Sequence, residues 1–365
     1  MTTIYILLFS ILLISCHESN NAKVISDNNA IKEVDTTSVI EETPMSIDYD
    51  KVKVLKTVFV TDVNGTDIKQ SSAANTKILG HYSYGEQLKV IEDANEWLGI
   101  MARISREYMK GDTKIQSTAW EKIYVLKEAT GSVYDVKLWP KQLNIISSIH
   151  EPDVNTKFYE EDILLKKYLT VELVTEAEYK KQKSTAVNFL ISDTLNIRKT
   201  DGITTLPCTD KPVIFTDKPD AEESMCVFVY MGQIPELNKY LIGGSYWEEG
   251  DVTLVDKTTG EQLQIDDLPY LSSDKQHLIS VAANPYETTA DLELYHIENK
   301  NIKNIVAISF KNWMPLTQEN DRDKPDNMFW GTDNCFYLKA LHAKAFWLEN
   351  GHLNNQGQYL RIKLL

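Results

Sequence analysis

Short strand-like runs separated by turn residues are the feature that most limits how this chain can fold. Between residues 51 and 128, Leu88 and Val90 alternate with polar neighbours, Gly85 marks the turn before them, and residues 93–96 form the next turn. Five runs of this kind follow one another with turns roughly every 8–12 residues, which is typical of a small β-barrel. We therefore predict a mainly β fold that includes a small barrel at 51–128.

The first fifteen residues have the properties of a signal peptide. Residues 4–14 are an uncharged, apolar run of eleven residues. A membrane-spanning helix needs about 20 apolar residues, so the run is short for a span. Its length is typical of the apolar region of a signal peptide, although residues 1–15 lack the usual Lys or Arg.

Leu13-Ile14-Ser15-Cys16 follows this run and resembles the lipobox of bacterial lipoproteins. The resemblance implies that residues 1–15 are removed, that Cys16 carries the lipid, and that two or three acyl chains hold the protein on a membrane. It implies a location in the bacterial cell envelope, at the outer membrane, in the periplasm or on the cell surface. A chance cysteine after an ordinary signal peptide is the alternative.

Residues 16–50 have the composition of an acidic, disordered tether. Residues 17–50 contain eight acidic residues, two basic residues and one aromatic residue, Tyr49. So few apolar groups cannot offset the entropy lost on ordering. A flexible chain of this length spans roughly 30–35 Å on average, so the tether would hold the folded part away from the membrane.

The predicted barrel resembles the bacterial SH3 domain, SH3b. The matching pieces are Lys77-Ile78-Leu79-Gly80, Tyr84-Gly85, Trp97 at the start of a strand, and Trp120 with Val125-Leu126 at the end. The usual Gly-Pro of the family is missing after Asp67-Ile68, and the residue before Trp120 is Ala119 rather than Gly. We interpret the polar residues 105–118, which the family pattern lacks, as an extended hairpin.

The resemblance implies that this domain binds a cell-wall peptide or a partner protein. Aromatic side chains on barrel loops can line such a groove, and the candidates are Tyr82, Tyr84, Tyr108, Trp97 and Trp120. For Trp97 and Trp120, a place in the core of a small barrel is the stronger alternative, because tryptophan is readily buried.

Charge is divided unevenly along the chain. The whole sequence has 38 basic and 53 acidic residues, a net charge of -15, which argues against a nucleic-acid partner. Residues 51–130 carry twelve basic and ten acidic residues and are therefore slightly positive. The barrel is the part that anionic envelope polymers would not repel.

Residues 129–187 are predicted to be a mixed connector with one short helix. Thr175-Glu176-Ala177-Glu178 matches a capping box, in which the threonine side chain caps the helix and glutamate stands three residues later. We expect this helix to run to Lys183.

Residues 188–365 contain loose repeats of about 40 residues, which suggest the blades of a propeller. The leading Leu-Ile pairs of the first two units begin at Leu241 and Leu278, and a third unit begins near Met328. The second unit resembles the PD40 repeats of TolB-like propellers. Three units are fewer than the usual four to eight blades. We therefore expect either an incomplete propeller or a β-sandwich of meander hairpins.

We find no motif that indicates catalysis, a metal or a cofactor. The seven histidines are scattered, and HExxH, HxH and CxxC do not occur. A Gly-x-Ser-x-Gly elbow and a Gly-rich phosphate loop are also missing from the sequence. We therefore expect a protein that is not an enzyme and that needs no cofactor.

Two cysteines could pair in an oxidising compartment. Cys208 and Cys226 are close enough in sequence for a disulfide that would stabilise the fold by roughly 3 kcal/mol. Two free, buried thiols are the alternative, and Cys335 would remain unpaired in either case.

These features favour a non-catalytic envelope lipoprotein whose SH3b domain binds a cell-wall peptide or an envelope protein. Two other functions stay open. One is a cell-wall hydrolase with an unfamiliar site, and the other is a structural or partner-masking protein that acts through its C-terminal β-region.

Overall fold

The computed structural model describes residues 45–110, 113–152, 157–158, 165–221, 224–247, 249–316 and 327–365. These residues form antiparallel sheets, with 53% of the structure in strands, and the mainly β prediction is confirmed. Neither a closed barrel nor a propeller is found in this part of the chain. The predicted signal peptide, Cys16 and most of the predicted tether lie outside the described residues.

The first sheet has seven strands in the order β3-β2-β6-β5-β4-β1-β7. Its strands are β1 (Lys56–Val60), β2 (Thr66–Lys69), β3 (Ile78–Tyr82), β4 (Gln87–Ala94), β5 (Trp97–Lys110), β6 (Thr113–Leu126) and β7 (Thr130–Gly131). The extended hairpin expected at 105–118 is confirmed, because β5 and β6 pair along their whole lengths.

Alternation along these strands places one set of side chains in an apolar core. Val90, Leu98, Ile100, Ile123 and Val125 are fully or almost fully buried and belong to this core. At one end of it, Arg106 donates two hydrogen bonds to the carboxylate of Glu121, at 2.8 and 2.6 Å. Only 2% of Glu121 is exposed, so this ion pair holds a buried carboxylate with a partly exposed arginine.

Residues assigned to the end of the tether already pair with the first sheet. The backbone N–H of Ile47 donates to the carbonyl of Trp120, and that of Lys122 donates to the carbonyl of Met45, both at 2.9 Å. Ser46 forms a bridge with Glu121. Ordered structure against β6 therefore includes residues 45–50, which composition alone had placed in the tether.

Four further sheets follow along the chain. The next strands are β8 (Ile146–His150), β9 (Lys157–Phe158), β10 (Leu169–Val174), β11 (Ile203–Leu206), β12 (Val213–Thr216), β13 (Cys226–Ile234), β14 (Lys239–Tyr246), β15 (Gly250–Asp256) and β16 (Gln262–Ile265). The last strands are β17 (Tyr270–Leu271), β18 (His277–Asn284), β19 (Thr289–Glu298), β20 (Asn301–Phe310), β21 (Trp313–Pro315), β22 (Met328–Trp330), β23 (Cys335–His342) and β24 (Gln358–Leu364).

The three sequence repeats lie in three different sheets. The first contributes to the meander β13-β14-β15-β16, the second to the sheet β17-β18-β19-β20-β8-β9, and the third to a sheet in which β23 pairs with β21, β22 and β24. Strands from residues 129–187 complete two of these sheets, since β8 pairs with β20 and β10 pairs with β24. One large apolar core joins the sheets.

The predicted helix is confirmed as α1 (Glu176–Lys183), the one α-helix among the described residues. The Thr175 side chain accepts a hydrogen bond from the backbone N–H of Glu178 at 3.1 Å, as the capping pattern requires. The Glu178 carboxylate is bonded to Arg361 on β24, at 2.9 Å, so it ties the helix to the neighbouring sheet.

Candidate functional site

The outer face of the first sheet carries an unusual combination of lysines and aromatic rings. Residues that lie directly opposite one another on paired strands share a face, and the residues between them point to the core. By this rule the pairs Trp97/Leu126, Arg103/Trp120 and Lys69/Tyr124 lie on the face away from the core. We call this surface the lysine–aromatic face, and define it by Tyr49, Lys69, Lys89, Trp97, Trp120, Lys122 and Tyr124.

Each of its three lysines lies near an aromatic ring. The distance from Nζ to the ring centre is 5.6 Å for Lys69 and Trp97, and 5.7 Å for Lys122 and Tyr124. Lys89 lies 5.7 Å from the ring centre of Tyr49. These distances are within the range in which a cation is attracted to the face of a ring. Each of the three lysine heads therefore lies beside an aromatic ring.

The carboxylate of Glu92 lies beside two members of the lysine–aromatic face. Glu92 accepts hydrogen bonds from Lys122 Nζ at 2.6 Å and from Tyr124 Oη at 3.1 Å. The bond from Lys122 lowers the pKa of Glu92, and the same bond raises the pKa of Lys122, so both side chains stay charged near neutral pH. A β-carbon at Gly99 would come within 2.8 Å of Glu92 Cβ, so glycine leaves the room that this arrangement needs.

The two tryptophans mark opposite ends of the lysine–aromatic face. Trp97 pairs with Leu126 and Trp120 pairs with Arg103, so six positions along β5 separate them, roughly 20 Å. Both are half-buried, and neither belongs to the apolar core of the first sheet. Tyr49 packs on Trp120 with ring centres 4.6 Å apart. The face is thus an elongated strip rather than one compact groove.

Two of the tyrosines proposed for a binding groove, Tyr82 and Tyr84, lie elsewhere. Tyr82 packs against the apolar core, and burial raises its pKa to about 12. Tyr84 contacts the rings of Trp139 and His342, and its hydroxyl donates to the Lys137 carbonyl at 2.9 Å. Tyr82 and Tyr84 therefore do not share a surface with Trp97 and Trp120. Tyr108 lies in β5, but its side chain is outside the described part of the structure.

The remaining members of the face are hard to find from sequence. Tyr49 lies in a segment of acidic, polar composition, and lysines at 69, 89 and 122 are far apart along the chain. The period-two alternation of Lys89 with Leu88 and Val90 is the one local signal that a lysine faces away from the core. Their convergence depends on strand register, and the sequence alone does not specify which strands pair.

Cys208 and Cys226 are both free thiols. They lie at opposite ends of the β11–β12 ribbon, since Cys208 packs with Val213 and the Cys226 thiol faces the Thr216 carbonyl at 3.8 Å. Three residues of β12 separate these ends, about 10 Å. A disulfide joins Cα atoms roughly 4.4–6.8 Å apart. The structure therefore does not form the proposed Cys208–Cys226 bond.

We also examined the described residues for a metal cluster and for a membrane span. They contain no group of three or more His, Cys, Asp or Glu side chains that could hold a metal ion. No helix in the same residues has the length and apolar character needed to cross a membrane.

We compared the chain with protein-family models, with curated proteins and with solved structures, and none of the three comparisons gave a match.

Proposed function

We propose that this chain is a non-catalytic lipoprotein of the bacterial cell envelope, anchored through Cys16, that binds an anionic peptide of the cell wall. In this proposal the first sheet is a variant of the SH3b domain, and the C-terminal sheets are a propeller-like set of β-meanders that needs no catalytic site. The main support for the proposal is the combination of lysines and aromatic rings on the lysine–aromatic face.

The charge of this face favours an anionic ligand. Lys69, Lys89 and Lys122 lie on it, and Arg103 stands directly opposite Trp120. Glu92 is the acidic residue that we find among them, and it is already paired with Lys122. A lysine head has three N–H donors, so one bond to the protein leaves donors for a ligand carboxylate.

The shape of the face favours an extended ligand. Its two tryptophans are roughly 20 Å apart, which is the length of about six residues in a β-strand. Aromatic rings bind apolar or glycan surface, while the cations between them bind carboxylates. A peptide with carboxylate groups at intervals matches both properties. A protein partner with an acidic, extended segment would present similar chemistry, and the test below separates the two.

Binding to purified sacculi tests the proposal. We would use the full chain with Cys16→Ala, so that lipid does not contribute to retention. Sacculi should retain the protein when its lysine–aromatic face is unmodified. Retention should fall as salt is raised, because exposed ion pairs are screened. Lys69→Gln combined with Lys89→Gln should weaken retention, and so should Trp97→Ala.

Trp247→Ala is the matched control, because Trp247 is 70% exposed and lies far along the chain, after β14. It should leave retention unchanged. Equal loss in the Trp247 and Trp97 variants would reject a role for the face. If an envelope protein retained the chain and sacculi did not, the ligand would be a protein partner rather than a cell-wall peptide.

The anchor is tested separately by labelled palmitate. The full chain should incorporate the label, and Cys16→Ala should abolish it. Labelling that survives this substitution would disprove attachment at Cys16, while leaving the binding face to be judged by the sacculus experiment.

A further inference from the structure

Two histidines that are distant in sequence lie side by side on neighbouring strands. His277 is the first residue of β18, and His296 lies near the end of β19. The two residues are directly opposite each other in the antiparallel register, so their side chains share one face. Their ring centres are 5.4 Å apart, with the ring planes inclined at 55°.

This spacing is close to the spacing of two imidazoles bound to one metal ion. Metal–nitrogen bonds to histidine are about 2.0–2.1 Å long, and a tetrahedral ion places the centres of two bound rings roughly 5 Å apart. The observed 5.4 Å therefore needs rotation of the rings but no movement of the strands. A paired β-ladder holds the backbone at both positions and so fixes this spacing.

The state of the rings is also suitable for metal binding. His277 Nδ1 is buried and has no hydrogen-bond partner among the described residues. His296 is exposed, so an ion can reach the pair from solvent.

We propose that His277 and His296 together bind a divalent transition metal of the class that prefers imidazole, such as Zn²⁺ or Cu²⁺. Water completes the coordination on the exposed side. The site lies in the C-terminal part of the chain and does not depend on the lysine–aromatic face or its ligand.

Two charged side chains flank the pair. Asp274 lies close enough to His277 to influence its titration, but its carboxylate is already bonded to Ser272, Gln276 and Asn334. On the other side, Lys303 is directly opposite His296 in the pairing of β19 with β20. The carboxylate favours a bound cation and the lysine opposes it. With two protein ligands, we expect a site weaker than a closed three- or four-ligand zinc centre.

Isothermal titration of the full chain with Zn²⁺ tests the proposal. One site should be present in the unmodified protein. His296→Ala should weaken Zn²⁺ binding by at least the roughly 10–100-fold that loss of an outer-shell partner typically costs. His296 is exposed, so this variant should fold normally. His277→Ala should have the same effect, and the double variant should bind Zn²⁺ no more tightly than either single one.

His352→Ala is the matched control, because His352 is also exposed but lies outside the pair. It should bind Zn²⁺ like the unmodified chain, and Lys303→Gln should bind it more tightly. Unchanged Zn²⁺ affinity in His296→Ala would overturn the proposal, as would an equal loss in His352→Ala. A folded His277→Ala variant with full affinity would do the same, and circular dichroism establishes that it is folded.

Discussion

Two tryptophans of the C-terminal sheets and two of the first sheet differ in how far they are buried. Trp313 and Trp330 are buried, with 0% and 1% of their surface exposed. Their indole N–H groups donate to the carbonyls of Leu143 and Tyr270, at 3.0 and 2.9 Å. Trp97 and Trp120, in contrast, are half-buried on the outer face of the first sheet.

The difference in burial follows from the apolar core of each region. Trp313 and Trp330 belong to the one large core of the C-terminal sheets, where an indole N–H needs a protein partner. The first sheet has its own smaller core, and the half-buried Trp97 and Trp120 lie outside it. An aromatic residue outside the core is available for binding, and Trp97 and Trp120 are such residues.

The largest effect should come from removing a buried tryptophan. Trp330→Ala should destabilise the chain by about 5 kcal/mol, because it leaves a cavity and removes the hydrogen bond to Tyr270. Urea unfolding measures the change. Trp330→Phe keeps most of the volume and should cost clearly less. If Trp330→Ala cost no more than Trp97→Ala, the contrast between the two regions would be wrong.

The first sheet also has one interior polar contact on which its stability should depend. Arg106→Met should destabilise the protein by about 3–4 kcal/mol, since it leaves the Glu121 carboxylate buried without its ion-pair partner. The measurement is again the free energy of unfolding in urea.

The double variant Arg106→Met with Glu121→Leu provides the control for this prediction. Replacing both partners by apolar groups should restore much of the stability, because no unpaired charge remains. A double variant that is less stable than Arg106→Met alone would contradict the argument, and would show that Gln70, which accepts from Arg106 at 2.5 Å, also depends on the pair.

His342 lies where the first sheet meets the C-terminal part, in contact with Tyr84. Burial, with a smaller contribution from Lys344, lowers its pKa from 6.5 to about 4. The unfolded chain therefore binds more protons between these values, so stability is lost as pH falls from 6.5 towards 4. The gap between the two pKa values corresponds to up to about 3 kcal/mol.

Urea unfolding at several pH values between 7 and 4 tests this sign. The unmodified chain should lose more stability than His342→Gln over this range, because glutamine does not titrate. The exposed His352→Gln is the matched control and should follow the unmodified chain. Parallel curves for the unmodified and His342→Gln proteins would show that the buried ring does not couple folding to pH.

Local patterns predicted those parts of the fold that local physics determines. Thr175 with Glu178 predicted the start of α1, and the polar run at 105–118 predicted the long hairpin of β5 and β6. Both depend on residues near one another in the chain. The mainly β class followed in the same way from alternation and turn residues.

Long-range pairing could not be predicted in this way. Nothing in residues 146–150 indicates that β8 pairs with β20, more than 150 residues later. The same limit applies to Lys69 beside Trp97, and to His277 opposite His296. Such contacts depend on which strands pair and in which register, and many registers satisfy the same apolar pattern. The sequence therefore predicts individual candidate residues better than it predicts which of them lie close together in the fold.

The smallest stability change should come from the outer face. Trp120→Ala should cost about 1 kcal/mol or less, since it removes the contact with Tyr49 but opens no cavity in the core. Trp120→Ala should nevertheless clearly reduce the retention of the protein by sacculi. If instead Trp120→Ala were as destabilising as Trp330→Ala, then the outer face would be a packed surface like those of the C-terminal sheets. A small cost in urea unfolding combined with lost retention is the result that separates an aromatic residue kept for binding from one kept for folding.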